Sequence, residues 1–299
     1  MDHLLWHKPR LVMLGPKIEA LLDDHPSKAQ CLQNLAWLFK LAGNWVECKR
    51  LLTRSLKLWR ERGNDHRVAL MSSYLSDVNR LMGLGKEGIQ QAREASGVFE
   101  RLGNTVNQVK SLIDLAWALN DDRQLDAAGE AGSHAINLLP EKGEQLWVCE
   151  GHRVLGNIYW SKGATEKAIH HFEVALEIGS SLNQVYLLFW VHFSLAGMFS
   201  REGRFGGARA HVEHAKLHTI GNAYNLGRAM ELQANLWYRQ HVFEKAKFEA
   251  SYATSVFEKV GATEEIEDCR KLLREIDKLD LDGEPLGTMV LPARINVPF

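Results

Sequence analysis

A 40-residue internal repeat constrains the fold of this chain more than any other feature. A leucine recurs at every fortieth position over five units, and a small residue follows each of these leucines at once. Two more small residues follow in every unit, twelve and nineteen positions beyond the first, and a sixth unit comes thirty-eight positions after the fifth. The leucines are Leu35, Leu75, Leu115, Leu155 and Leu195. The small residues are Ala36, Ser76, Ala116, Gly156, Ala196 and Ala234; Cys48, Gly88, Ala128, Ala168, Ala208 and Ala246; and Ser55, Ala95, Ala135, Ala175, Ala215 and Ala253.

Close helix packing explains this spacing. Between residues 27 and 284 only Pro140 interrupts the chain, and segments such as 30–41 and 166–178 carry apolar residues at helical spacing. Two antiparallel helices approach closely only where small side chains face each other. Glycines recur between the small positions, where tight turns can use positive φ. One repeat is therefore an A helix with the repeated Leu, a turn, a B helix and a second turn, and the repeats must stack.

Charge and cysteine content exclude several classes of protein. The 36 Lys and Arg residues balance 37 Asp and Glu residues, which argues against a general nucleic-acid binder. The four cysteines lie far apart without a CxxC pair, which indicates neither a zinc cluster nor a disulfide framework. The most apolar stretch, residues 185–199, is too short to span a bilayer, and the N-terminus does not have the pattern of a signal peptide. We therefore expect a cytoplasmic protein with no membrane or nucleic-acid partner.

The repeat units resemble a known family. The segment LGNIYWSKGATEKAIHHFEVALEI (residues 155–178) is similar to a tetratricopeptide repeat, with its Leu-Gly pair, Tyr159, Gly163, Ala168 and Phe172. The segment QLDAAGEAGSHAINLLPEKGEQLWVCEGHRVLGNIY (residues 124–159) is similar to the C-terminal arrays of fungal STAND proteins, which pair an NB-ARC or NACHT ATPase with these repeats. The resemblance implies an all-α, right-handed α-solenoid of about six helix-turn-helix repeats.

This resemblance also suggests where the array begins and ends. We expect the repeats to occupy residues 28–261, with a capping helix over residues 262–280 that closes the last apolar face. Residues 1–27 should form an N-terminal segment with one short helix. Residues 281–299 contain three prolines and two glycines and should be extended. The apolar end of this tail could dock on the array itself and compete with its ligand.

Catalytic and metal-binding motifs do not assemble in this sequence. His211, His214 and His218 share one face of a B helix, but no Glu or Cys clearly completes a metal site there. His152 and His192 occupy equivalent A-helix positions, which predicts histidines packed between helices. Residues 83–88 have the spacing GxGxxG, but this segment joins two predicted helices. We therefore expect a turn there and not a nucleotide site. We therefore expect no enzyme activity, no metal and no cofactor.

The A helices carry the predicted binding residues. In arrays that this sequence resembles, the A helices line the concave surface. The residues two before, two after and five after the repeated Leu point into it. The predicted ligand-binding residues are Gln33, Trp37, Lys40, Asp77, Arg80, Trp117, Asn120, Arg153, Asn157, Trp160, Phe193, Glu231, Asn235 and Tyr238.

This mixture of aromatic and polar residues is typical of an interface, although each tryptophan could equally well pack between neighbouring repeats. The first functional hypothesis is a non-enzymatic scaffold whose concave face binds a peptide or protein. The alternative hypothesis is a ligand-sensing array that regulates a STAND-type ATPase.

Overall fold

The computed structural model describes residues 27–41, 44–139, 144–219 and 222–282, together with Lys17. Within these ranges the chain is built from thirteen α-helices and contains no β-strand. The helices are α1 Lys28–Leu41, α2 Trp45–Glu61, α3 Asp65–Leu81, α4 Gly85–Arg101, α5 Thr105–Asp121, α6 Leu125–Asn137, α7 Gln145–Ser161, α8 Thr165–Ser181, α9 Val185–Arg201, α10 Phe205–Leu217, α11 Ala223–Arg239, α12 Phe243–Val260 and α13 Thr263–Asp282.

The helix bounds reproduce the sequence repeat. The A helices α3, α5, α7 and α9 begin at positions 65, 105, 145 and 185, and the B helices α4, α6, α8 and α10 begin at positions 85, 125, 165 and 205. Helices α11 and α12 begin at positions 223 and 243, which follows the shorter spacing of the sixth unit. The all-α helical repeat fold predicted from the sequence is confirmed.

The small residues lie where helices come closest. All eighteen are buried. At Gly156 of α7, an added Cβ would lie 2.7 Å from the ring of Phe172 on α8. At Gly88 of α4, an added Cβ would lie 3.0 Å from the backbone oxygen of Ser76 on α3. The repeated small residues are therefore required by the distance between the paired helices.

Glycine and asparagine together shape many of the turns. Within the described ranges, six glycines adopt positive φ at the ends of helices: Gly63, Gly83, Gly103, Gly163, Gly203 and Gly261. Arg123, Asn183 and His241 occupy equivalent turn positions with φ of 63°, 50° and 58°. Four helices begin with an Asn side chain that accepts a hydrogen bond from the backbone N–H three residues on. These caps are Asn44, Asn64, Asn104 and Asn222.

The described chain forms two compact units. The first contains residues 27–40 and 44–187, and the second contains residues 188–282. In the first unit, apolar side chains from α1 to α7 form two core clusters. In the second, Leu272 and Ile276 of α13 pack against Ala246 and Ala250 of α12. Among the described residues, no helix is both long enough and apolar enough to cross a membrane.

The structure describes only part of the predicted ends. Helix α13 continues to Asp282, two residues past the predicted capping helix, so residues 281 and 282 are helical where an extended tail was expected. The short helix predicted within residues 1–27 and the remainder of the tail, residues 283–299, lie outside the described residues, Lys17 and Ser27 apart.

Candidate binding surface on the A helices

The predicted ligand-binding residues differ in their exposure. Trp37 is the most open of them, with 49% of its surface exposed. Seven others are half-buried: Gln33, Lys40, Asn120, Trp160, Glu231, Asn235 and Tyr238. Six are buried: Asp77, Arg80, Trp117, Arg153, Asn157 and Phe193. The predicted set therefore contains eight residues that are open to solvent and six that are buried, and contact with a ligand stays a prediction for all fourteen.

Asp77 and Arg80 can be buried because their charges form ion pairs within the array, some of them between neighbouring repeats. The Lys40 ammonium of α1 lies 2.5 Å from one Asp77 carboxylate oxygen on α3, and the Arg80 guanidinium lies 3.0 Å from the other. Arg80 also pairs with Asp121 of α5 at 3.1 Å. Burial alone would raise the pKa of Asp77, but Lys40 and Arg80 outweigh it and hold this pKa below its usual value. These side chains link three successive A helices.

Trp117 continues this set of contacts into the fourth repeat. Its ring lies 5.7 Å from the Arg80 guanidinium and 4.7 Å from the Arg153 guanidinium. Arg153 donates two hydrogen bonds to Glu150, at 3.0 and 2.7 Å, and the Trp117 indole N–H donates to the same carboxylate at 3.4 Å. Burial raises the pKa of Glu150, against the effect of Arg153. We name the set Lys40, Asp77, Arg80, Asp121, Trp117, Glu150 and Arg153 the charge ladder.

Five buried members of the predicted set lie inside the array, and their contact with a ligand stays a prediction. Asp77, Arg80, Trp117 and Arg153 join neighbouring repeats, because their side chains are enclosed and engaged with each other. The Asn157 side chain donates to the backbone oxygen of Arg153 at 3.0 Å, one helical turn earlier. These five serve packing within the array in this structure.

The second unit repeats this pattern with fewer charges. Phe193 is buried beneath the Arg228 guanidinium, 5.5 Å from its ring centroid, so it too is a packing residue. Arg228 pairs with Glu231 at 3.0 Å. Burial raises the pKa of Glu231 to about 7, although Arg228 opposes the shift. Tyr238 packs edge-on against Phe243 with ring centroids 5.9 Å apart.

One cavity brings several open residues together. It lies among α1, α2 and α3 and has a volume of about 340 Å³. Its lining residues are Gln33, Asn34, Trp37, Leu38, Lys40, Cys48, Leu52, Tyr74 and Val78. Three of them were predicted as ligand contacts, all on α1. The rule based on distance from the repeated Leu did not predict Asn34 and Tyr74, which also line the cavity. Both lie one residue before the repeated Leu of their unit, and this shared position in the sequence could have identified them.

The histidines pair across the two helices of one repeat. His192 of α9 faces His211 of α10, with the two Nδ1 atoms 3.0 Å apart, and its ring stacks on His214 and His218. Burial and these three neighbours lower the pKa of His192 to about 3. His152 and His171 form the same pair in the preceding repeat, also at 3.0 Å. Within the described ranges, no group of three or more His, Cys, Asp or Glu side chains is arranged to hold a metal ion.

Comparison with known proteins places the fold. No protein-family model matches the sequence, and no curated protein matches it either. A Rap protein solved in complex with competence and sporulation factor has a TM-score of 0.62 at 12% identity, over 85% of this chain and 76% of that one. The fold is that of a tetratricopeptide-like repeat array.

Two further structures extend the comparison. Aspartyl phosphate phosphatase F from Bacillus subtilis has a TM-score of 0.56 at 11% identity, over 96% of this chain and 82% of that one. A STAND protein with a tetratricopeptide repeat sensor, from Pyrococcus horikoshii, has a TM-score of 0.56 at 14% identity, over 92% of this chain and 43% of that one. The resemblance to the repeat regions of STAND proteins is thus confirmed at the level of the fold.

Proposed function

We propose that this array is a non-enzymatic scaffold that binds a peptide or protein segment along its A helices. The observation that carries the proposal is the cavity at Trp37, where a half-exposed tryptophan stands over an open, mainly apolar space. Soluble proteins use exposed aromatic side chains as anchors at interfaces, and large aromatics dominate binding energy when a partner covers them. The Rap protein, whose fold this array shares, was solved in complex with competence and sporulation factor.

The remaining open residues extend the proposed surface. In the first unit these are Asn120 and Trp160, and in the second they are Glu231, Asn235 and Tyr238. We assign them to flanking contacts in each unit. The buried members of the predicted set fix the positions of the A helices, so they support the surface without touching the ligand.

A scaffold role also agrees with the charges of the array. The cations of the charge ladder already have carboxylate partners, so they do not form a set of free acids and bases. The formal net charge of −1 favours a protein partner over nucleic acid. The proposal places the array in the cytoplasm and includes no metal, cofactor, nucleic-acid or membrane partner.

A second candidate function is a sensor array that regulates a STAND-type ATPase. The similarity to the repeat sensor of the Pyrococcus horikoshii protein, which spans 92% of this chain, favours it. Two observations would favour the sensor over a free-standing scaffold. One is a coding sequence, joined to this one, that contains the ATP-binding motif GxxxxGK[ST]. The other is ATP hydrolysis that responds to the ligand of the array.

The experiment is a selection of random displayed peptides on the full chain. Peptides enriched on the wild type should bind Trp37→Ala about tenfold more weakly, because the main anchor is gone. The matched control is Phe248→Ala, which removes an aromatic side chain that is 69% exposed on α12 of the second unit. Failure to enrich any peptide, or equal loss of binding in both variants, contradicts the proposal.

A further inference from the structure

The cavity is walled mainly by apolar side chains from three helices. Trp37 and Leu38 come from α1, Leu52 from α2, and Tyr74 and Val78 from α3. Its volume of about 340 Å³ lies near the lower end of ligand pockets, which span roughly 300–1,000 Å³. This space suits one large side chain with its adjoining backbone. A charged side chain that entered it would lose its hydration without gaining a free charged partner.

Gln33 lines the cavity, and its side chain carries an acceptor that lacks a donor within the described part of the chain. Its Oε1 atom is enclosed and accepts no hydrogen bond from the described residues. An enclosed acceptor without a donor is unfavourable, so a donor that reaches it stabilises the complex. The terminal torsion of a glutamine side chain has a broad energy minimum, so the amide can turn toward the cavity at little cost. A backbone N–H, which every residue except proline carries, is a suitable donor.

The charges around the cavity select against charged ligands. Lys40 is the one cationic side chain among the described lining residues, and its ammonium already contacts Asp77. Arg80 and Asp121 extend this pair to an alternating set of two cations and two anions. The Lys110 ammonium lies 3.8 Å from the ring centroid of Tyr74 and has Asp114 as its anionic neighbour, so the charges near the cavity leave no excess positive charge for an acidic ligand. The Lys40 ammonium also lies 5.1 Å from the ring centroid of Trp37. A cationic side chain at this ring would therefore meet a like charge.

We infer that the cavity recognises one neutral apolar side chain of an extended peptide, together with the backbone N–H of the same residue. The inference rests on the proposed function and specifies the ligand chemistry at its central contact. The apolar walls hold the side chain, Gln33 Oε1 accepts from the N–H, and the paired Lys40 disfavours acidic and basic residues alike.

Small peptide analogues test this chemistry on the full chain. The probes are the N-acetyl methyl esters of leucine, aspartate and lysine, each with one backbone N–H, and their binding is followed by saturation-transfer NMR. The leucine ester should bind at least about tenfold more tightly than the other two, because burying its side chain is favourable and theirs must be desolvated. Equal binding of the charged esters overturns the inference.

A methylated probe isolates the role of Gln33. N-methylation of the leucine ester removes its N–H, so it should weaken binding to the wild type several-fold but have little effect on binding to Gln33→Leu. Gln90→Leu, the same change on the exposed face of α4, should behave as the wild type. Far-UV circular dichroism verifies that each variant is folded. An equal effect of N-methylation in the wild type and in Gln33→Leu overturns the inference.

The two tests fail separately. If the selected peptides need Trp37 for binding but the three esters bind equally well, the proposed function is supported and the inference about the cavity is overturned. Binding of the leucine ester that depends on Gln33, without any selected peptide, supports the inference about the cavity and contradicts the proposed function.

Discussion

The charge ladder of the first unit and the histidine cluster of the second, which consists of His192, His211, His214 and His218, place polar groups between helices in different ways. In the ladder, each cation has a carboxylate within 3.1 Å, and two of the ion pairs, Lys40–Asp77 and Arg80–Asp121, join neighbouring repeats. In the cluster, His192 meets three other imidazoles within a single repeat. Compensated charges can be buried in their ionised form, whereas a half-buried group of imidazoles is most stable while it is mostly neutral. The two regions should therefore respond differently to mutation and to pH.

The largest effect should come from breaking the charge ladder. Arg153→Met leaves the buried Glu150 carboxylate without its cation and should lower the free energy of unfolding by about 3–5 kcal/mol. Urea denaturation at neutral pH measures this change. Arg270→Met, which removes the cation of an exposed pair with Glu258 in the second unit, should cost less than about 1 kcal/mol. Similar losses in the two variants would show that burial does not distinguish these pairs.

The small-residue positions should respond alike in both units. Ala168→Leu on α8 and Ala208→Leu on α10 place a bulky side chain at the same repeat position, where both alanines are fully buried. Each change should destabilise its unit by about 1–3 kcal/mol through overpacking. Thermal unfolding measures both, and Glu173→Leu on the exposed face of α8 is the control. A melting temperature that stays unchanged in either alanine variant would mean that these positions tolerate larger side chains.

The smallest effect should appear on acidification. The folded pKa of His192, about 3, lies below its unfolded value of about 6.5, so the unfolded chain takes up the proton first as the pH falls. The stability associated with His192 is therefore complete above pH 6.5 and declines toward pH 3. Between pH 7 and pH 5 the loss should be about 1 kcal/mol, reduced for solvent screening, and His192→Phe should remove it.

The comparison of wild type with His192→Phe isolates this histidine. Glu231 titrates in the same pH range, because its pKa is raised to about 7, but it does so in both proteins. Asp77 does not interfere, since its lowered pKa keeps its carboxylate ionised above pH 5. Urea denaturation at pH 7 and pH 5 measures the difference. Identical pH dependence in the two proteins would show that the histidine cluster does not limit stability.

The sequence predicted the helices well because their packing is periodic. Each repeat needs small residues at the same three positions, so their recurrence alone identified the A and B helices. The same spacing predicted which way an A-helix side chain points, as Trp37 and Trp117 illustrate. It did not predict that Trp37 would be half-exposed and Trp117 buried.

Contacts between neighbouring repeats decide that difference. Trp117 is enclosed by Arg80 of the preceding repeat and by Arg153 of the following one. Such contacts depend on which residues the adjacent units carry, and a rule based on one unit cannot include them. Opposite charges spaced nearly one repeat apart, such as Lys40 and Asp77, were the available signal in the sequence.

The turn residues with positive φ suggest how such an array can diverge over generations. Arg123, Asn183 and His241 hold a left-handed conformation that glycine adopts in other repeats, at a local cost of roughly 1–2 kcal/mol for the residues other than asparagine. The stability of a repeat array is approximately a sum over its units. A free-energy cost of this size in one turn is therefore small compared with the stability of the whole array. A duplicated unit can therefore lose its turn glycine and still fold, whereas a larger side chain at its small helix-facing positions would overpack the helix pair.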